Sequence, residues 1–108
     1  MFDLSDAILA RNTTTSRFIL SRLLETTTPY EIIPTLIGIL RGSLYAKYLQ
    51  SIGKKEKEIG SIIPIHPYVL SKTLASKISF REISEIYTKL VDANIAYKSG
   101  RGLKDGEL

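Results

Sequence analysis

The chain contains no cysteine and no tryptophan, and His66 is its single histidine. The absence of cysteine excludes disulfide scaffolds, thiolate zinc sites and cysteine nucleophiles. With one histidine, a metal site would depend on carboxylates, and the eleven Asp and Glu residues do not cluster along the sequence. We therefore predict no metal-binding residues and no cofactor.

Long hydrophobic runs are also absent. The longest apolar-rich stretch, residues 32–40, is interrupted by Pro34 and Gly38 and is followed by Arg41, whereas a membrane span needs about 18 apolar residues. The first residues lack the basic segment and apolar run of a secretory signal. We expect a cytoplasmic protein that does not associate with membranes.

What is present is typical of one globular domain. The 108 residues are 44% hydrophobic and 24% charged, an ordinary balance for a folded chain. The net charge of +4 permits a polyanionic partner without requiring one. We predict a single domain over residues 1–102 and a polar tail over residues 103–108, and we expect the chain to be a piece of a longer protein.

Apolar residues recur with helical spacing along nearly the whole chain, which predicts an all-α, compact bundle of about five to six helices. The serial threonines of residues 12–15 predict a linker, because β-branched residues disfavour helix. The second helix should bury Ile19, Leu20, Leu23 and Leu24. The predicted helices span residues 4–10, 16–26, 29–51, 54–62, 67–78 and 80–99, the last ending at Gly100.

Three helix starts carry capping signals. Thr28 with Glu31, and Ser79 with Glu82, match the capping box, and His66 precedes the proline that begins the fifth helix. In the long third helix, two glycines four residues apart permit close approach of another helix. In the second half of that helix, the spacing of the apolar residues predicts a single apolar face, formed by Leu44, Tyr45, Tyr48 and Leu49.

No motif of an enzyme is present. The sequence has neither the glycine-rich loop of nucleotide-binding proteins nor a nucleophile with a base nearby. Asp3 and Asp6 form a conceivable carboxylate pair, but we interpret them as charges that stabilise a helix N-terminus. His66 is interpreted as a residue of a helix start. We therefore predict no catalytic residues and no enzymatic activity.

Residues 56–74 resemble a generic helix-turn-helix, so a nucleic-acid-binding module is an alternative function. Its candidate contacts are Lys54, Lys55, Lys57 and Lys72. Glutamates between the lysines offset their charge, and the second helix lacks Arg, Asn and Gln, the side chains best suited to reading bases. A packed helical hairpin with a solvated charged face is the other interpretation.

Four segments together resemble a known family: residues 2–7 (FDLSDA), 29–33 (PYEII), 65–70 (IHPYVL) and 90–100 (LVDANIAYKSG). In this order and spacing, they are similar to the C-terminal domain of the delta subunit of bacterial DNA polymerase III. The positions that carry the resemblance are Phe2, Asp3, Asp6, Tyr30, His66, Pro67, Tyr68, Asp92, Lys98 and Gly100.

The resemblance implies an all-helical collar domain of the clamp loader, which loads the sliding clamp during DNA replication. Its partners would be the C-terminal domains of the other loader subunits, delta-prime and gamma/tau. It implies no ATP hydrolysis, and it assigns contact with the sliding clamp to an N-terminal module that this sequence lacks. Contact with DNA would be indirect or weak. The family continues into a leucine-rich terminal helix, before which this sequence stops.

Residues for such an assembly role can be proposed from side-chain type. Protein interfaces favour Tyr and Arg over Lys and Glu, which makes Arg41, Tyr45, Tyr48 and Tyr97 candidate interface residues. The alternative is that the tyrosines cover the edge of the core with their hydroxyls in water, and this is favoured for Tyr87.

Overall fold

A computed structural model describes residues 2–98, and in that range it shows six α-helices and no strand. The predicted all-α bundle is therefore confirmed, while the predicted tail at residues 103–108 and Gly100 lie outside the described residues. The helices are α1 (Phe2–Leu9), α2 (Thr13–Leu23), α3 (Pro29–Ser51), α4 (Glu56–Ile62), α5 (Pro67–Ala75) and α6 (Phe80–Lys98).

Helix α3 is the centre of the fold, and its bounds agree with the prediction. It packs against α6, α5, α4 and α1, as expected for a helix that is apolar on several sides. Pro29 occupies the first helical position, where no N–H is needed. Pro34 lies inside the helix and cannot donate to the Tyr30 carbonyl, yet the helix continues to Ser51.

Within residues 2–98, three clusters of buried side chains form much of the core, and each includes residues distant in sequence. The first lies between α1 and α3, the second between α1, α6 and the segment before it, and the third between α3, α4 and α5. Their buried members are Leu4, Leu36 and Leu40, then Leu9, Ile78 and Ile83, and finally Ala46, Ile59 and Leu70.

Helices α3 and α6 run antiparallel, as three side-chain contacts along their length show. The rings of Tyr48 and Phe80 lie 6.2 Å apart, and those of Tyr30 and Tyr97 lie 5.4 Å apart. Between these ends, the Arg41 guanidinium contacts Tyr87 on α6. Each step toward the end of α3 is therefore a step toward the start of α6.

The start of α2 differs from the prediction. Residues 13–15 are helical rather than a linker, because Asn12 caps the helix and its Oδ1 accepts a hydrogen bond from the Thr15 N–H at 3.0 Å. Arg11, at a φ of 62°, reverses the chain just before this cap. The free energy gained from a cap that pairs free N–H groups outweighs the modest free-energy cost of placing threonine in a helix.

The predicted buried stripe of α2 is confirmed only in part. No residue of α2 is buried, although Ile19 and Leu23 pack against the first core cluster. Leu20 and Leu24 are exposed. The helix packs mainly on α1, and a groove of about 590 Å³ separates it from α6.

The other predicted caps have mixed outcomes. His66 caps α5, its Nδ1 accepting from the Tyr68 N–H at 3.1 Å, and Ser79 and Glu82 form the predicted capping box. Thr28 caps α3 through its backbone only, since its side chain makes no capping hydrogen bond. Ile78 is buried but lies beyond the end of α5, so that helix is shorter than predicted.

Two buried hydroxyl groups connect α3 to α5. Ser43 and Thr73 are fully buried, and their oxygens lie 2.8 Å apart. Thr73 also donates to the Val69 carbonyl at 2.7 Å, and a hydroxyl has one proton to give. Ser43 is therefore the donor of the pair, and Thr73 the acceptor.

Glu82 makes the stability of the N-terminus of α6 dependent on pH. Its carboxylate accepts from the Ser79 N–H and lies 3.1 Å from Arg11. The Ser79 hydrogen bond, with help from Arg11, holds the pKa of Glu82 below its ordinary value of 4.5. Because the folded pKa is lowered, this stabilisation is complete above pH 4.5 and is lost as the pH falls through the lowered value.

We expect Glu82→Gln to remove this dependence, since glutamine keeps the cap but not the charge. Urea midpoints of both proteins from about pH 7 to about pH 3 should differ most near neutral pH and converge in acid. A constant difference over this range would contradict the assignment.

Candidate protein interface

One face of α3 is exposed along its whole length and bears almost no charge. Its residues follow one another at intervals of four and three, which places them within an arc of about 80° on the helix surface. The face extends over about 33 Å. We call it the α3 stripe, and it consists of Tyr30, Pro34, Gly38, Arg41, Tyr45, Tyr48 and Ile52, all exposed.

The aromatic residues of the stripe are more exposed than a core-edge role requires. Tyr45 is 52% exposed and Tyr48 is 50% exposed. The aliphatic side chain of Ile52, directly after the helix, is exposed to a similar extent. Phe80 of α6 is exposed beside Tyr48 and widens the apolar surface. Contiguous exposed apolar surface of this kind marks interaction sites more often than scattered single residues do.

Arg41 is the single charged residue of the stripe and is held in place from α6. Its Nε donates to the Tyr87 hydroxyl at 3.1 Å, and its guanidinium carbon lies 5.9 Å from the centroid of that ring. This hydrogen bond raises the pKa of Arg41 above its ordinary value. Tyr87 packs against the first core cluster, in agreement with its predicted place at the core edge.

The two glycines of α3 have different surroundings. A Cβ at Gly42 would lie 3.3 Å from the Ile65 side chain, so the absence of a side chain there allows the turn after α4 to pack closely. A Cβ at Gly38 would meet nothing within 4 Å. Gly38 is therefore an open gap in the stripe, one turn before Arg41.

The predicted interface residues are brought together in part. Arg41, Tyr45 and Tyr48 share the stripe. Tyr97 lies on α6 at the far end, where the Tyr30 hydroxyl donates to its carbonyl at 3.1 Å. Sequence reasoning missed Pro34, Ile52 and Phe80, although the four-three spacing along α3 would have included the first two. The predicted face of Leu44, Tyr45, Tyr48 and Leu49 is wrong, because both leucines turn toward core clusters.

The residues that carry the family resemblance lie mostly at helix ends. Tyr68 donates from α5 to Asp6 Oδ2 on α1, which raises the pKa of Tyr68. Asp6 therefore does more than charge a helix N-terminus: it connects two helices. The others lie at the start of α1 (Phe2, Asp3), at the start of α5 (His66, Pro67) and on the exposed surface of α6 (Asp92, Lys98).

The four lysines predicted as nucleic-acid contacts are exposed, but they lie on two different parts of the molecule. Lys54, Lys55 and Lys57 surround the start of α4, where Glu58 accepts from the Lys55 N–H at 2.9 Å. Lys72 places its ammonium 5.5 Å from the Tyr68 ring centroid. A nucleic-acid role for these lysines stays a prediction.

Residues 2–98 hold no cluster of three or more His, Cys, Asp or Glu side chains placed to bind a metal ion. Across the same range, no helix has the length and apolar character needed to cross a membrane.

Comparison with known proteins adds one finding. The profile of the family described as DNA polymerase III delta subunit, C-terminal domain, matches residues 1–107. No curated protein and no solved structure matches the chain. The matched segment includes all six helices and the α3 stripe, so the chain belongs to the family of C-terminal domains of the DNA polymerase III delta subunit.

Proposed function

We propose that this chain is a subunit-assembly domain of the DNA polymerase III clamp loader, and that it docks through the α3 stripe onto the delta-prime and gamma/tau subunits. The observation that carries the proposal is a surface about 33 Å long with several half-exposed aromatic and aliphatic residues and one arginine. Interfaces are enriched in this composition and depleted in Lys, Glu and Asp.

In this role the chain packs against other subunits rather than catalysing a reaction, in the cytoplasm alongside the rest of the replication machinery. In support, the buried polar groups Ser43 and Thr73 are hydrogen-bonded to each other and serve the core. The most exposed tyrosines lie on the stripe instead. Because binding energy in interfaces is concentrated in aromatic and arginine residues, Tyr45 and Tyr48 are the side chains expected to contribute most.

The test is to mix the chain with purified delta-prime and gamma/tau subunits and to measure association by size-exclusion chromatography with light scattering. We expect the wild-type chain to associate. Tyr45→Ala with Tyr48→Ala should weaken association at least about tenfold, because both rings would lose their contacts with the partner.

The matched control is Phe18→Ala, which removes an aromatic ring that is 61% exposed on α2, away from the stripe. This variant should associate like the wild type. No association of the wild-type chain with either subunit, or equal loss in both variants, would refute the proposal.

A further inference from the structure

The α3 stripe contains two features that specify its partner more closely than an apolar surface does. Arg41 presents a fixed positive charge, and Gly38 leaves a gap one turn away on the same face. This inference rests on the proposed function, since it concerns the partner bound by the same surface.

The shape of the stripe favours a helix as the part of the partner that binds to it. The stripe is about 33 Å long and one residue wide for each turn of 5.4 Å. A second helix packed along it repeats its side chains at the same interval and can place a ridge into the groove between rows. At Gly38 the absence of a Cβ lets a bulky side chain reach the backbone of α3 between Pro34 and Arg41.

The hydrogen bonding of Arg41 favours a partner that carries a negative charge at this point. Its Nε is occupied by the Tyr87 hydroxyl, and within residues 2–98 the two Nη groups make no hydrogen bond. They form a planar fork that fits a carboxylate end-on. Covering the guanidinium without such a partner would cost free energy, because a charge removed from water must be paired.

We propose that the α3 stripe binds a helix of a neighbouring loader subunit that carries an Asp or Glu opposite Arg41 and, one turn away, a bulky apolar side chain opposite Gly38. The carboxylate accepts from both Nη groups of Arg41, while the rings of Tyr87 and Tyr45 flank the ion pair. The bulky side chain fills the gap over Gly38.

The Gly38→Ala variant distinguishes an effect on binding from an effect on stability. The added Cβ meets nothing in the free chain, so alanine should raise the Tm by about 2–8 °C through its higher helix propensity. It should also weaken association with delta-prime or gamma/tau about tenfold by filling the gap. The control is Gly60→Ala in α4, where the new Cβ makes ordinary contact with Leu70 and association should not change.

Arg41 variants test the ion pair. Arg41→Glu should weaken association about 30-fold or more, and Arg41→Lys about tenfold, because lysine keeps the charge without the fork. The control is Arg22→Glu, since Arg22 also lies over an aromatic ring, Phe18 at 5.7 Å, but is remote from the stripe. It should bind like the wild type.

The outcomes distinguish this inference from the function it rests on. Failure of the wild-type chain to bind either subunit in calorimetric titration would remove both. Binding that is weakened by Tyr45→Ala with Tyr48→Ala, but not by Gly38→Ala or Arg41→Glu, would leave the assembly function and overturn the proposed partner. An affinity for Arg41→Lys equal to that of the wild type would also overturn it, because a fork would then not be needed.

Discussion

Leu40→Ala is expected to lower the free energy of unfolding by about 2–5 kcal/mol. Leu40 is fully buried in the first core cluster, where Leu4 and Leu36 contact it and Ile86, Tyr87 and Leu90 of α6 pack around them. Truncation removes apolar surface from the core and leaves a cavity between α1, α3 and α6 that a rigid helix packing cannot close. Urea denaturation of both proteins measures the loss.

The matched control for Leu40→Ala is Leu20→Ala on α2. Leu20 is 36% exposed and lies at the rim of the groove, so its truncation should cost below about 1 kcal/mol. Equal costs for the two leucines would contradict the core that we describe.

Thr73→Val is expected to cost about 1–3 kcal/mol, although valine has nearly the same shape as threonine. The substitution removes the acceptor of the Ser43 proton and leaves a fully buried hydroxyl unpaired between α3 and α5. Ser43→Ala should cost less, because Thr73 keeps its hydrogen bond to the Val69 carbonyl.

A double-mutant cycle makes this prediction specific. The combination of Ser43→Ala with Thr73→Val should be more stable than Thr73→Val alone, since replacing both partners with apolar groups leaves no unpaired group. Additive costs would contradict a direct hydrogen bond. A cost below about 0.5 kcal/mol for Thr73→Val alone would mean that Ser43 donates to a helix carbonyl instead.

Much of the fold could be predicted from local chemistry. Both ends of α3 follow from Pro29 and from Gly53, whose φ of 94° ends the helix in a conformation that favours glycine. The start of α5 follows from His66 and Pro67. The start of α2 could not be predicted in this way, because a single cap at Asn12 and the turn at Arg11 outweigh three threonines of low helix propensity.

The candidate interface could be predicted from the sequence only in part, for a different reason. The spacing from Pro34 to Ile52 is visible in the sequence, but spacing does not say which side of a helix remains in solvent. On α3 the apolar residues exceed what one face can hold, so leucine and tyrosine could not be assigned to core or surface without knowing where α6 packs. Arg41 acquires its fixed position from Tyr87, a residue 46 positions away.

The way α2 is attached has a consequence for local unfolding. It packs mainly on α1, has no buried residue, and is separated from α6 by the groove. Opening a helix costs free energy in proportion to the apolar surface it exposes. We therefore expect the amide protons of α2 to exchange with solvent through openings far less costly than global unfolding, whereas those in the middle of α3, which packs against four other helices, should exchange through openings close in cost to global unfolding.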